Sequence, residues 1–307
     1  MLKLFGIPVA IAIISGILFP YVAISMMPLG VVFLFLLMVW AGLTIDWTRI
    51  HRVMSRPIDL VFGLILLYIF FPVLQLLLAQ SLISDNQFLF GLLFSSLTPA
   101  AIVAPLFCKT MDGDEELSFL LLFFSMALAP VVTPLLLKIL GQSILPINFV
   151  PLFKVIGLLV TVPLLISFII TRKLPQLQQY LKPHLPILNM LSLSLLVFIL
   201  FGTAVGRLNI NYLQSSELML LLLLAFVQDF GVLLIARLLL PFFFSYKTAN
   251  TFIITLSMKN VAIAAGILLF YDPKASLPPA LGFIAHAFLF SFLPIFSKKL
   301  MLKPPPE

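Results

Sequence analysis

Long apolar runs alternate with short polar connectors along the whole chain. A membrane-spanning helix needs about 20 mostly apolar residues. Ten runs fit this length, and they cover roughly residues 4–23, 28–45, 57–80, 87–108, 116–137, 149–171, 184–206, 216–240, 248–271 and 277–297. The connectors, such as "SDNQ" and "YDPKAS", are too short for a soluble domain. The first run lacks a clear cleavage site and another run follows at once, so it is predicted to be a span rather than a signal peptide.

Composition supports the same interpretation. Of the 307 residues, 62% are hydrophobic and only 9% are charged, against about 25% charged in soluble domains. The lipid bilayer is therefore the expected surrounding of the chain. The net charge of +7 is not gathered into a basic run, so no nucleic-acid partner is expected. The single cysteine, Cys108, excludes an internal disulfide.

Lys and Arg residues predict how the chain is oriented. With ten spans both termini lie on one side, and most of the 18 Lys and Arg residues fall on that side. The positive-inside rule then places both termini in the cytoplasm, in a cytoplasmic (inner) membrane. The acidic stretch "DGDEE" falls on the same side, but acids contribute little to this rule.

Two interrupted runs point to an internal repeat. Ten spans divide into residues 1–145 and 146–307, and five spans per half make the second half inverted relative to the first. The fourth run of each half is broken, by "SLTPAAIVAP" at 96–105 and by "TLSMKNVAIAAG" at 255–266. Matching broken helices are a sequence indicator of a transporter binding site. The alternative is an ordinary proline kink and a chance lysine.

Several motifs together resemble the bile acid:sodium symporter family. "MVWAGLTIDWTRIHRVMSRP" at 38–57 resembles its second helix, and "APVVTPLL" at 129–136 resembles its "APLLTPLL". "TPAAIVAPLFCKTMDGDEELS" and "SMKNVAIAA" lie where the family has its two crossing motifs, and His286 lies where it often has "WHN". The resemblance implies an all-α membrane protein with ten transmembrane helices in a 5+5 inverted repeat. It also implies a core domain of helices 3–5 and 8–10, a panel of helices 1, 2, 6 and 7, and unwound helices 4 and 9 that cross.

The family's sodium ligands are mostly missing at the matching positions. The resemblance places them at Leu67, Ala104, Pro105, Ser118, Leu122, Thr255 and Lys259. Among these, Ser118 keeps the family's residue and Lys259 replaces a glutamine. A lysine ammonium is a monovalent cation with three donors that carbonyl oxygens can accept. Lys259 is therefore predicted to take the place of bound sodium, which makes sodium doubtful as a coupling ion.

Lys259 and Asp229 are the ionisable residues, other than histidine, that stand clearly inside predicted spans. Inverted symmetry makes helix 8 the counterpart of helix 3, so Asp229 is predicted to reach Lys259 as a charge couple. Such a couple is either a static structural ion pair or a functional one, and intramembrane charges are generally functional.

The remaining candidates are polar residues in the spans. The predicted substrate-binding crossover consists of Thr98, Pro99, Pro105, Ser257, Lys259 and Asn260. A possible ion or polar site consists of Ser118, Thr255, Gln228, His286 and Asn189, although a lone histidine on a helix, such as His286, is more often a hydrogen-bonded packing residue. The scattered histidines predict no metal site, and no enzyme motif or cofactor motif is present in the sequence.

The sequence thus predicts a secondary active transporter of a small organic anion, working by alternating access without sodium. One alternative is a sodium-coupled organic anion symporter with rearranged ligands. Another is a non-transporting membrane sensor or receptor on the same scaffold. The substrate, the direction of transport, the oligomeric state and whether transport is proton-coupled, sodium-coupled or uncoupled are left open.

Overall fold

The computed structural model describes residues 6–45, 47, 56–145, 148–208 and 215–300. Within these residues the regular structure is helical. The helices are α1 (Gly6–Leu18), α2 (Pro20–Ser25), α3 (Leu29–Leu43), α4 (Pro57–Gln80), α5 (Asn86–Ser96), α6 (Ala104–Thr110), α7 (Glu115–Gly141), α8 (Val150–Lys173), α9 (Pro175–Leu181), α10 (Leu185–Leu208), α11 (Ser216–Phe242), α12 (Tyr246–Ser257), α13 (Val261–Tyr271) and α14 (Leu277–Leu300). Both chain termini, Arg49 and Arg52 lie outside the described residues.

Five helices of the described chain are long and apolar enough to cross a bilayer, namely α4, α7, α8, α10 and α11. Their outer faces expose large apolar side chains, such as Leu77 at 62% and Ile139 at 64%. Water would make these faces costly, whereas hydrocarbon does not. The predicted all-helical membrane protein is confirmed at this level. The other predicted runs appear as shorter apolar helices or as pairs of helices separated by a break.

Acidic side chains gather at the start of α7. Asp114 caps α7 by accepting the backbone N–H groups of Glu116 and Leu117 at 3.0 and 3.1 Å. It also pairs with Arg56, just before α4. Carboxylates in the first turn of a helix interact favourably with the helix dipole. The "DGDEE" stretch therefore leads into the start of α7.

Two sets of helices pack together. In the first, α10 packs against α1, α2 and α3, and α3 also packs against α8. A Cβ on Gly202 of α10 would lie 2.2 Å from the Ala23 Cβ, so only glycine allows this close approach. In the second set, α11 packs against α12 and α14, α5 against α4 and α14, and α6 against α7. The two broken segments belong to the second set.

A π-helical turn interrupts three of the long helices, at Leu66–Phe70 in α4, Gly157–Thr161 in α8 and Val227–Gly231 in α11. In α4 and α8 the second residue after the turn is a proline, Pro72 and Pro163 respectively. Proline has no backbone N–H to donate, so a carbonyl in the preceding turn is left without its helical partner. In α4 this carbonyl is that of Leu67.

Candidate substrate and ion site at the helix crossing

The two broken segments meet and pair through their backbones. Ala100 and Lys259 form an isolated antiparallel bridge. The Ala101 N–H donates to the Met258 carbonyl at 2.7 Å, and the Asn260 N–H donates to the Pro99 carbonyl at 2.9 Å. Irregular backbone at membrane depth needs such internal partners because lipid supplies none. The two segments predicted to be broken therefore form one buried crossing.

Proline and hydroxyl side chains explain the first break. Pro99 disfavours helical geometry at the preceding Thr98, and Pro105 lies in the first turn of α6, where its missing N–H costs nothing. The Thr98 hydroxyl donates to the Ser95 carbonyl at 2.7 Å, and the Thr133 hydroxyl donates to the Leu97 carbonyl at 2.9 Å. These bonds satisfy carbonyls at the end of α5. The local sequence therefore ends the helix and also satisfies its open end.

Lys259 lies at the crossing and is only 2% exposed. Its Nζ donates to the Leu67 carbonyl of α4 at 2.7 Å and lies 3.4 Å from the Thr98 carbonyl. It also lies 6.0 Å from the centre of the Tyr68 ring, at the outer limit of a cation–π contact. The ammonium is therefore held by neutral oxygens and one ring face.

The ion pair predicted between Lys259 and Asp229 is wrong. In the described part of the chain no carboxylate lies within ion-pair distance of the Lys259 ammonium, and Asp229 contacts His286 instead. The physical reason is that the lysine side chain reaches α4, where an unpaired carbonyl is available, rather than α11.

The Leu67 carbonyl is available because of the π-turn and Pro72. At the end of the turn, the Phe71 N–H bonds to the Leu66 carbonyl rather than to that of Leu67. The next residue, Pro72, has no N–H, so the helix offers the Leu67 carbonyl no donor. A buried carbonyl without a donor is costly, and the lysine ammonium supplies the missing one. Leu67 and Pro72 thus belong to the site through the backbone, which their apolar side chains conceal.

His286 and Asp229 form the second charged contact of the site. His286 Nδ1, on α14, lies 2.8 Å from Asp229 Oδ2 in the π-turn of α11. The same nitrogen lies 3.0 Å from the Gly282 carbonyl, and Nε2 lies 2.8 Å from the Lys259 carbonyl. Asp229 is 1% exposed, and neither of its carboxylate oxygens has a hydrogen-bond partner among the described residues, so its 2.8 Å approach to Nδ1 is an ion-pair contact. His286 therefore connects Asp229 to the backbone of the crossing.

Other predicted polar residues separate into three groups. The Ser118 and Thr255 hydroxyls lie 2.8 Å apart, and Cys108 Sγ lies 3.7 Å from Thr255. Gln228 accepts a hydrogen bond of 3.1 Å from Gln75 of α4, a residue that the sequence did not single out.

The third group consists of Ser257, Asn189 and Asn260, whose side chains do not bond to one another. The Ser257 hydroxyl donates to the Ile254 carbonyl within its own helix at 3.0 Å. Asn189 is half-buried on α10 and has no hydrogen bond to the crossing within the described residues. Asn260, at the start of α13, is 6% exposed, and its Nδ2 has no partner among the described residues. Of the three, Asn260 alone presents an unpaired donor at the crossing.

Comparison with known proteins supplies the family. The family model described as the sodium bile acid symporter family matches residues 31–215, which is more than half of the chain. This stretch includes the first broken segment, while Lys259 and His286 lie beyond it. A search of curated proteins found no match. With its membrane-spanning helices, the chain is an integral multi-pass membrane protein that belongs to the sodium bile acid symporter family.

Proposed function

We propose that the protein is a secondary active transporter of a small organic anion, with the Lys259 ammonium in place of a bound sodium ion. The observation that carries this proposal is the 2.7 Å bond from Lys259 Nζ to the Leu67 carbonyl. By family resemblance, Leu67 stands where an ion-binding glutamine would be. A fixed cation therefore occupies the neighbourhood of an ion ligand.

The charge at the crossing favours an anion as substrate. A buried lysine is expensive at membrane depth, about 2.5–3.5 kcal/mol on the insertion scale, and residues with this cost are usually functional. The carbonyls around Lys259 leave its full positive charge uncompensated. Asn260 adds an unpaired donor at the N-terminal end of α13, whose dipole also attracts negative charge. An organic anion at the crossing would have both a counter-charge and hydrogen-bond donors.

The oxygen atoms near the crossing leave little for sodium. The ammonium already uses the Leu67 carbonyl and approaches that of Thr98. Ser118 and Thr255 bond to each other, and Ala104 and Leu122 carry no side-chain oxygen. A second cation in this place would also be repelled by the lysine. We therefore expect transport without sodium and no other cofactor.

The family architecture completes the proposal. We assign residues 1–145 and 146–307 to inverted repeats, the second packed set of helices to a moving core, and the first set to a panel. The paired broken segments and the π-turns of α4 and α11 support this symmetry. Rocking of the core against the panel would give alternating access. Both termini are assigned to the cytoplasmic side of the inner membrane from the placement of Lys and Arg.

Ligand screening and flux measurements test the proposal. Purified protein would be screened for thermal stabilisation by lactate, gluconate, succinate, 2-oxoglutarate and taurocholate, with and without sodium, because a ligand of the native state raises its stability. Isotope uptake of the same anions into proteoliposomes follows. We expect at least one anion to bind and cross in sodium-free buffer. Lys259→Met should abolish uptake, while Lys138→Met, at an exposed position on α7, should not.

The same measurements separate the alternatives. A tenfold gain in anion affinity on adding sodium would favour the sodium-coupled symporter. Stabilisation by an anion without any flux would favour a sensor on the same scaffold. Normal uptake by Lys259→Met would show that the lysine is structural and would overturn the proposed role.

A further inference from the structure

We propose that Asp229 and His286 form a proton-binding site that couples anion transport to proton movement in the same direction. This inference rests on the proposed function, since it names the coupling ion of that transporter. It is carried by the geometry at His286, where both ring nitrogens lie within hydrogen-bond distance of backbone carbonyls and Nδ1 also contacts Asp229. It is also carried by the two buried carboxylate oxygens of Asp229, which have no hydrogen bond among the described residues.

Both ring nitrogens of His286 face hydrogen-bond acceptors. Nε2 lies 2.8 Å from the Lys259 carbonyl, and a carbonyl can only accept. Nε2 must therefore carry a hydrogen. Nδ1 lies 3.0 Å from the Gly282 carbonyl and 2.8 Å from Asp229 Oδ2. A lone pair on Nδ1 would be directed against the Gly282 carbonyl, so Nδ1 also carries a hydrogen. The described geometry is that of a doubly protonated imidazolium beside an ionised carboxylate.

The two ring protons of His286 differ in whether they can leave the ring. Loss of the Nε2 proton would direct a lone pair at the Lys259 carbonyl, which cannot rotate away because Lys259 is fixed by the bridge to Ala100. Nδ1 also faces a fixed carbonyl, that of Gly282, but it lies 2.8 Å from Asp229 Oδ2, a carboxylate oxygen that can take up its proton. The neutral ring that remains still donates from Nε2. The exchangeable proton is therefore the one on Nδ1. Its departure changes the charge of the pair from zero to minus one.

Other ionisable residues surround the Asp229–His286 pair. Lys259, a cation of the crossing, contacts His286 through its backbone carbonyl. Tyr68 stands on α4, which reaches α11 through Gln75 and Gln228. Ionisable residues towards the ends of the helices packed around the pair, or in the adjoining turns, include Arg56, Asp59, Asp85, Lys182, His184, Arg207, Glu217, Arg237, Tyr246, Lys247, Tyr271, Asp272, Lys274, Lys298 and Lys299. Glu217 and Arg237 are separated from Asp229 by roughly 18 and 12 Å of helix, at 1.5 Å per residue.

These charges give a simple coupling rule. With the proton bound, the pair is neutral and Lys259 supplies one positive charge, which a monovalent anion compensates. With the proton released, the carboxylate of Asp229 compensates Lys259 and disfavours the anion. Both the loaded and the empty cluster then have no net charge. Such clusters cross the membrane interior at a much lower cost than charged ones, so both halves of the transport cycle are possible.

The proton site can be tested without knowing the substrate. In the variant His51→Gln/His184→Gln, His286 is the remaining histidine. Nitrogen-15 NMR of its ring in nanodiscs, from pH 5.5 to 8.5, reports each ring nitrogen separately. We expect both nitrogens to be protonated at pH 5.5, and Nδ1 alone to lose its proton as pH rises. Adding Asp229→Asn should leave the ring neutral with Nε2 protonated at a pH where the parent is fully charged.

A control and two contrary outcomes accompany this measurement. Asp112→Asn makes the same chemical change in an exposed turn, where the positive φ of 54° suits asparagine, and it should not alter the His286 titration. A ring that is neutral at pH 5.5 in the parent would overturn the proposal. So would a titration that is the same with and without Asp229→Asn.

Flux measurements then test coupling. Proteoliposomes containing the pH dye pyranine would receive an inward gradient of each screened anion, with the membrane potential either free or clamped at zero. We expect the lumen to acidify at equal rates in both conditions. Asp229→Asn has the charge of the loaded pair, so it should still take up anion, while acidification falls at least tenfold. Asp112→Asn should behave as the parent.

The possible failures are distinguishable. Anion uptake without acidification in the parent would overturn proton coupling while leaving the transporter proposal intact. If none of the anions crosses, the transporter proposal fails for these anion classes. The NMR titration still decides whether Asp229 and His286 hold the proton.

Discussion

Lys259 should stabilise the protein mainly by donating a hydrogen bond to the Leu67 carbonyl. A double-mutant cycle can measure this contribution to the free energy of unfolding. Lys259→Met keeps most of the side-chain volume but removes the charge and the donors. Pro72→Ala restores a backbone N–H that can donate to the Leu67 carbonyl from within α4. If the carbonyl has no donor other than the ammonium, the cost of Lys259→Met should be smaller in the Pro72→Ala background.

The magnitude follows from the competing terms. A hydrogen bond from a charged donor contributes about 1.5–3 kcal/mol, and a buried carbonyl left unpaired costs about 1–3 kcal/mol. Removing the buried ammonium gains back about 2.5–3.5 kcal/mol. Lys259→Met should therefore lower the free energy of unfolding by only about 1–2 kcal/mol. This is less than the ~3–5 kcal/mol expected when one partner of a buried ion pair is deleted. In the Pro72→Ala background the unpaired-carbonyl cost disappears, so the two changes should couple by about 1–2 kcal/mol.

The assay is reversible unfolding in mixed detergent micelles, followed by the fluorescence of Trp40 and Trp47. Pro163→Ala is the matched control, because Pro163 also follows a π-turn but no lysine contact is seen at that turn. Its effect should add to that of Lys259→Met within about 0.5 kcal/mol. A coupling below this value for Pro72→Ala, or an equal coupling for both prolines, would refute the account of the Leu67 carbonyl. Asp229→Asn should not rescue Lys259→Met, because the two side chains are not partners.

Three further predictions concern sodium, pH and topology. Sodium between zero and about 0.1 M should change anion affinity by less than twofold, a coupling below ~0.4 kcal/mol, and a tenfold effect measured by calorimetry would contradict this. Partial burial alone would raise the pKa of the Asp85 carboxyl, but its bonds to Lys274 and to the N–H groups of Phe88 and Gln87 hold the pKa below its usual value. The stabilisation by Asp85 should thus be complete above the unfolded pKa of about 4 and should fade as pH falls through the lower folded pKa. Asp85→Asn should lower the melting temperature at pH 6 more than at pH 3, and an equal loss at both would contradict this. A cysteine introduced at Lys173, in an otherwise cysteine-free chain, should react with an impermeant reagent only from the cytoplasmic side, and labelling from outside would reject the predicted orientation.

Sequence patterns located the membrane helices and the crossing because these depend on local chemistry. Long apolar runs report burial in lipid, and Pro99, Lys259 and Asn260 each conflict with a continuous helix. The pairing of the two breaks through Ala100 and Lys259 agrees with the prediction that they meet. Each of these signals is contained in a short stretch of the chain.

The partners of the charged groups could not be predicted in the same way. The sequence predicted a carboxylate as the partner of Lys259, but the partner is the backbone carbonyl of Leu67. Every residue has such a carbonyl, so the residue types do not show which one is the partner. That carbonyl is free only because a π-turn precedes Pro72, and the turn depends on how α4 packs in three dimensions. For His286 the sequence favoured a packing role over a functional one, since nothing in its neighbouring residues shows that Asp229 lies opposite. One usable signal was present, namely a proline in the middle of an apolar helix.

Asn260 provides a final prediction in which stability and binding change in opposite directions. Its Nδ2 is buried and has no hydrogen-bond partner in the described chain, whereas its backbone N–H is bonded to Pro99. An unpaired buried donor costs about 1–3 kcal/mol, and folded proteins usually keep such a group for function. Asn260→Ala removes this cost and opens a small cavity, so unfolding should become harder by up to about 1 kcal/mol or stay the same.

Anion binding should respond in the opposite direction. If Nδ2 donates to the substrate, Asn260→Ala should weaken anion affinity about tenfold, which corresponds to one lost bond to a charged group, about 1.4 kcal/mol. Ser96→Ala is the control, because the Ser96 hydroxyl is buried at the end of α5 but already donates to the Leu93 carbonyl at 2.7 Å. It should cost about 0.5–1.5 kcal/mol of stability and leave anion affinity unchanged. Asn260→Ala with lower stability and unaltered affinity would show that the asparagine serves the crossing rather than the substrate. The two variants, measured by the same unfolding and calorimetric assays, therefore separate a residue kept for binding from one kept for folding.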